Sequence, residues 1–150
     1  MDFSAMEELD RAKTKVLKYI VYQKRTEGQI RTKFSNTIEE NLLEDVICYL
    51  KEAGYIDDKD FIKRTVNNFE QLKNLSRKEL RYKLMAKNLP KDLIEDYFTE
   101  HRDELQEYEE KSARTILIKK SATMEPEEIK SYLIKKGYTK ETIQKAWEEE

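Results

Sequence analysis

Turn-forming residues are scarce in this chain, with 3 Gly and 2 Pro among 150 residues. Tight hairpins draw on glycine, and half-buried strands read as an alternation of apolar and polar residues; the alternation is absent too. Both shortages exclude a sheet protein and leave an all-α fold. A single cysteine, Cys48, excludes an internal disulfide and fits a reducing compartment. One histidine, His101, no Cys/His cluster and no glycine-rich phosphate loop leave no catalytic constellation to assemble, so neither an enzyme nor a cofactor is expected. No apolar run approaches the roughly 18 residues of a membrane span, and the N-terminus lacks an apolar signal-peptide segment. A cytoplasmic protein without membrane contact is the expectation.

Charge is what the chain has in excess, at 40% of residues against about 25% in an average domain. The 38% of apolar residues suffice for folding because they recur at helical spacing. A net charge of −2 hides an uneven distribution: residues 37–61 carry 2 basic and 8 acidic groups, whereas residues 62–98 carry 9 and 5. The acidic total argues against general coating of nucleic acid, but a local basic face survives.

Nine helices are expected in chain order. Ser4 and Glu7 suggest a capping box opening the first, whose inner face is Leu9, Ala12, Val16, Leu17 and Ile20. Thr26 with Gln29 opens a short second helix bearing Ile30 and Phe34. Thr37 with Glu40 opens a third with the stripe Leu43, Val46, Ile47, Leu50, stopped at Ala53-Gly54. Asp57 or Asp58 caps the fourth, whose apolar side is Phe61, Ile62, Val66, Phe69 and Leu72. Ser76 with Glu79 caps a fifth carrying Leu80 and Leu84; Asn88 is its left-handed stop, and Pro90 precedes a sixth with Ile94, Tyr97 and Phe98 inward. From Lys91 to Ser121 there is neither Gly nor Pro, so one long helix is permitted; the favoured break is Asp103 with Gln106, giving a seventh helix from about Glu104 to Ser121 with Ala113, Ile116 and Leu117 inward. Pro126 opens an eighth, with Ile129 and Leu133, ending at Gly137. Thr139 caps a ninth with Ile143, Ala146 and Trp147.

The helices repeat. At an offset of 49 residues, Leu80 falls on Ile129, Leu84 on Leu133, Asn88 on Gly137, Leu89 on Tyr138, Ile94 on Ile143 and Phe98 on Trp147. At 50 residues the other way, Leu80 falls on Ile30 and Leu84 on Phe34. The chain therefore divides into three tandem three-helix repeats, residues 1–56, 57–102 and 103–150, expected to form an elongated, curved array.

With these residues in place the sequence resembles the RecX family, bacterial regulators of the RecA recombinase. The likeness covers nearly the whole chain. It is strongest over Leu43, Val46, Ile47, Leu50, the run Gly54-Tyr55-Ile56-Asp57-Asp58, and Phe61, which is similar to the family's junction of first and second repeats. Ser76-Arg77-Lys78-Glu79-Leu80 through Ile94, with its echo Ile129 to Ile143, is similar to the second and third repeats. Two departures stand out: Asn74-Leu75 where the family usually has a glycine, and Lys87-Asn88-Leu89 where it usually has Lys-Gly-Ile. Asn can adopt the same left-handed conformation. The resemblance implies a non-catalytic partner of the RecA–DNA filament, acting in homologous recombination and DNA repair by restraining ATP hydrolysis and strand exchange; a monomer is expected.

Candidate partner contacts are the basic residues of the middle repeat: Lys73, Arg77, Lys78, Arg81, Lys83, Lys87 and Lys91, set against a single acid, Glu79, in that window. Arg77, Lys78 and Arg81 are expected to project away from the Leu80–Leu84 stripe, toward acidic RecA surface or DNA phosphate, or simply into solvent. Weak, salt-dependent DNA binding is the corresponding expectation. Direct DNA binding through helix-turn-helix-like units, or a scaffold role for another partner, are the competing readings. Asp57 and Asp58 lack the further oxygen ligands a hard cation needs and read as helix caps; no metal site is expected. Most aromatic residues sit at core spacing, Tyr22 and Tyr82 excepted.

Overall fold

The computed structural model describes residues 3–148. All regular structure among these residues is α-helical: α1 Phe3–Tyr22, α2 Glu27–Phe34, α3 Glu40–Glu52, α4 Asp58–Leu72, α5 Arg77–Met85, α6 Lys91–Glu100, α7 Arg102–Lys120, α8 Pro126–Lys136 and α9 Lys140–Glu148. Taken in threes along the chain, the middle helices α2, α5 and α8 have 8, 9 and 11 residues.

The chain forms two compact units, Met1–Phe61 with Lys87–Pro90, and Ile62–Ala86 with Lys91–Glu150. In the first, α1 packs on α3, around Val16, Ile30, Val46 and Leu50, none of which reaches solvent. In the second, α7 packs on α9, and Ala113, Ile129 and Leu133 lie in the same cluster as Tyr138, Ile143 and Ala146. Each fully buried Val, Leu or Ile contributes about 1.5–3 kcal/mol relative to exposure.

Local chemistry explains most boundaries. The Thr26 and Ser76 hydroxyls each accept the amide three residues on, and Gln29 and Glu79 return to the capping amides. Asp57 Oδ1 accepts the Asp60 amide at 3.1 Å and starts α4. Gly54 and Gly137 take positive φ after α3 and α8, and Asn88 does the same at φ 58. The Thr139 hydroxyl accepts the Thr142 amide and opens α9.

Four expectations are corrected. Ser4 lies inside α1, so it cannot cap that helix; a cap must precede the first turn with extended backbone. Glu39, not Thr37, caps α3, because the Thr37 and Ile38 amides still wind back onto the Phe34 carbonyl. The break between α6 and α7 falls at His101, whose φ −113 and ψ 30 leave the helical region; its Nδ1 lies 3.0 Å from the Tyr97 carbonyl oxygen. Leu72 is 60% exposed rather than part of an apolar face, since α4 ends there and Lys73 turns left-handed at φ 49.

Candidate functional site

The N-terminal turns of the two short helices α2 and α5 are built alike, and they position the candidate basic residues. In the first unit, the buried Thr26 hydroxyl donates to the Lys87 carbonyl at 2.6 Å, and the Glu27 amide donates to Asp58 Oδ1 at 3.0 Å. In the second, the buried Ser76 hydroxyl donates to the Lys136 carbonyl at 2.7 Å, and the Arg77 amide donates to Glu109 Oε1 at 2.9 Å. In both, a hydroxyl cap is tied to the carbonyl just ahead of a left-handed residue, and a carboxylate closes the first amide. The carboxylate also meets the positive end of the short helix.

Glu109 is the more deeply set of the two carboxylates, with no solvent exposure. Its second oxygen accepts Arg77 Nη2 at 3.0 Å and the Thr142 hydroxyl at 2.5 Å. One residue earlier, the Tyr108 hydroxyl accepts the Leu75 amide. Asp58 is less enclosed; burial pushes its carboxyl above the ordinary range, with the Glu27 amide opposing.

The seven candidate basic residues do not form one face. At about 100° per residue, Arg77 and Arg81 sit roughly 20° and 60° from Leu84 around α5, beside the apolar stripe rather than opposite it. They are accordingly half-buried and already paired: Arg77 with Glu109, and Arg81 with Glu95 at 3.0 Å. The Arg81 guanidinium also lies 4.4 Å from the Phe98 ring centre. Lys78 does project away and is exposed, as are Lys73, Lys83 and Lys91. Lys87 is half-buried, and its carbonyl is the acceptor for Thr26.

Two features of the candidate site escaped sequence reasoning. Arg77, Arg81 and Arg102 line one cavity of about 200 Å³, floored by Phe98, Thr99 and Leu105. Arg102 opens α7 beyond the window that drew attention to the other two. Glu109 reads in sequence as one more acid in a charged helix; its only sequence signal is the neighbourhood of Tyr108, Ser112 and Ala113 on the inward face of α7. Among the described residues no group of three or more His, Cys, Asp or Glu could hold a metal ion. No helix among the described residues is long and apolar enough to cross a membrane.

The helices and their junctions define a tandem three-helix-repeat protein. No protein-family model matches the chain. Among curated proteins it is 28% identical over 134 residues to the regulatory protein RecX of Staphylococcus carnosus, covering 87% of this chain and 50% of that protein. It is 30% identical over 132 residues to regulatory protein RecX of Clostridium botulinum strain Eklund 17B, covering 81% of this chain and 60% of the relative. The crystal structure of RecX from Lactobacillus salivarius shares the fold, with a TM-score of 0.81 at 19% identity over 95% of this chain and 96% of that one. Over most of its length the chain is similar to regulatory proteins of the RecX family. It spans about half the length of the curated relatives it matches.

Proposed function

We propose that this chain is a non-catalytic regulator that binds the RecA–DNA filament and restrains its ATP hydrolysis and strand exchange. The observation that carries this reading is the alignment of 87% of the chain with a protein named for regulation, RecX. It is supported by a fold held in common with a RecX crystal structure. The basic residues of α5 and its flanks supply the contacts: exposed Lys73, Lys78, Lys83 and Lys91, and the half-buried Arg77 and Arg81. Lys87 adds a half-buried charge. The chain acts as a monomer, and several individually weak contacts along a filament add through effective concentration.

Binding to the filament and to naked single-stranded DNA, measured over a range of salt, tests the reading. Tight binding to the filament and weak, steeply salt-dependent binding to DNA alone are expected. Reversal of Lys73, Lys78 and Lys83 to Glu should weaken filament binding while leaving helical circular dichroism unchanged. Equal affinity for filament and naked DNA would instead favour direct DNA binding.

A further inference from the structure

We infer that the cavity between Arg77, Arg81 and Arg102 receives one carboxylate side chain, Asp or Glu, from a protein partner. This rests on the reading of the chain as a filament-binding regulator, and names the chemistry by which the α5–α7 region grips that partner.

The charges of the cavity point to a single monovalent anion. Arg77 is matched by Glu109, and Arg81 by Glu95. Arg102 has no ion pair among the described residues, is exposed, and lines the same cavity. Among the residues that line the cavity one positive charge is thus left over, with two further guanidinium groups at hand to supply N–H donors. Arginine's planar fork matches a carboxylate bidentately.

The walls select the source of that anion. Phe98 and Leu105 are buried at 5% and 1% exposure and give the cavity an apolar floor. Such a floor suits the methylene stem of an acidic side chain. Arg102 and Thr99 also line a second, more open hollow with Glu100, Asp103 and Glu104, all three exposed. A nucleic-acid strand crossing Arg102 would carry phosphates past these neighbouring acids, and like charges repel across an interface. A single inserted carboxylate reaches the arginines without extending charge along the neighbouring acids. The occupant is therefore a protein side chain rather than a phosphate backbone.

The test uses the full chain with an Arg102→Glu substitution, and Lys119→Glu as a charge-matched control at the far end of α7. Affinity is measured for a RecA filament on single-stranded DNA and for the same DNA alone, at one moderate salt concentration. Arg102→Glu should lose at least about tenfold in filament affinity, with Lys119→Glu close to the unsubstituted chain and naked-DNA binding unchanged. Filament binding by Arg102→Glu equal to that of the unsubstituted chain would overturn the pocket and leave the regulatory reading standing. Parallel losses on filament and naked DNA would overturn the carboxylate in favour of phosphate. Failure of the unsubstituted chain to bind the filament would overturn both the pocket and the reading beneath it.

Discussion

A β-carbon placed on Gly28 would lie 2.1 Å from the Asn88 carbonyl oxygen and 2.7 Å from the Asn88 β-carbon. Gly28 is the second residue of α2, and Asn88 is the left-handed residue after α5. In the second unit the assignment is inverted. Lys78 is the second residue of α5 and Gly137 the left-handed residue after α8, and a β-carbon on Gly137 would meet the Lys78 β-carbon at 2.9 Å. Each contact has room for one side chain and is given one glycine. The asparagine that departs from the family's usual glycine at position 88 is thereby accommodated by the glycine at 28.

Gly28→Ala should therefore destabilise the chain, since the atom it meets is backbone and cannot rotate away. Overpacking of this kind costs typically about 1–3 kcal/mol. Urea denaturation would register it as a lower midpoint with an unchanged slope. A midpoint equal to that of the unsubstituted chain would mean that the turn at Asn88 can yield.

Glu109→Ala should be the more damaging change. It leaves the half-buried Arg77 guanidinium and the first amide of α5 without their acceptor, and breaking a buried pair in this way costs about 3–5 kcal/mol. Thr142→Val removes one of the donors to the same carboxylate and the acceptor for Thr139 and Gln106, but strands no charge, and should cost about 1–3 kcal/mol. Comparable losses for the two would show that Glu109 is not the centre of the network.

Thr26→Val and Ser76→Ala probe the two caps as a pair. Each removes a helix cap together with the donor to a carbonyl more than fifty residues away. A buried acceptor left unsatisfied costs about 1–3 kcal/mol. Similar losses at both sites are expected if the two junctions are built alike, and faster amide exchange at the start of α2 or α5 would localise each effect.

Glu70 supplies a pH dependence. Burial, reinforced by the charge of Glu104 and opposed by His101, raises its pKa above the ordinary 4.5, and its Oε1 is buried without a hydrogen-bond partner. The folded chain thus holds this proton to higher pH than the unfolded chain does. The stability this group contributes is greatest below the unfolded pKa and declines as pH rises through the carboxylate range toward the raised folded value. Glu70→Gln should abolish that decline and be the more stable form at neutral pH. Melting temperatures across pH 4 to 7 that fall in parallel for both proteins would contradict this assignment.

The local part of this fold was legible in the sequence, and the long-range part was not. Thr26 with Gln29, and Ser76 with Glu79, could be read directly, because a capping box is complete within four residues. The offset that pairs Leu80 with Ile129 and Asn88 with Gly137 could be read too, because each copy carries its own closely spaced apolar residues and stop residue. The boundary at His101 could not, because that turn has no side-chain cap to advertise it. Nor could the role of Glu109, whose partner Arg77 lies 32 residues away. The candidate site suffered accordingly: composition marked Arg77 and Arg81 as free charges, whereas their places beside the Leu80–Leu84 stripe commit them to Glu109 and Glu95, and Arg102 joins them only in three dimensions.

The regulatory reading is tested most directly by ATP hydrolysis. Added to RecA, single-stranded DNA and ATP at or below one chain per RecA protomer, this chain is expected to lower the steady-state rate of hydrolysis, and the Lys73, Lys78 and Lys83 charge reversal is expected to blunt that effect. An unchanged hydrolysis rate with the cognate RecA would contradict it.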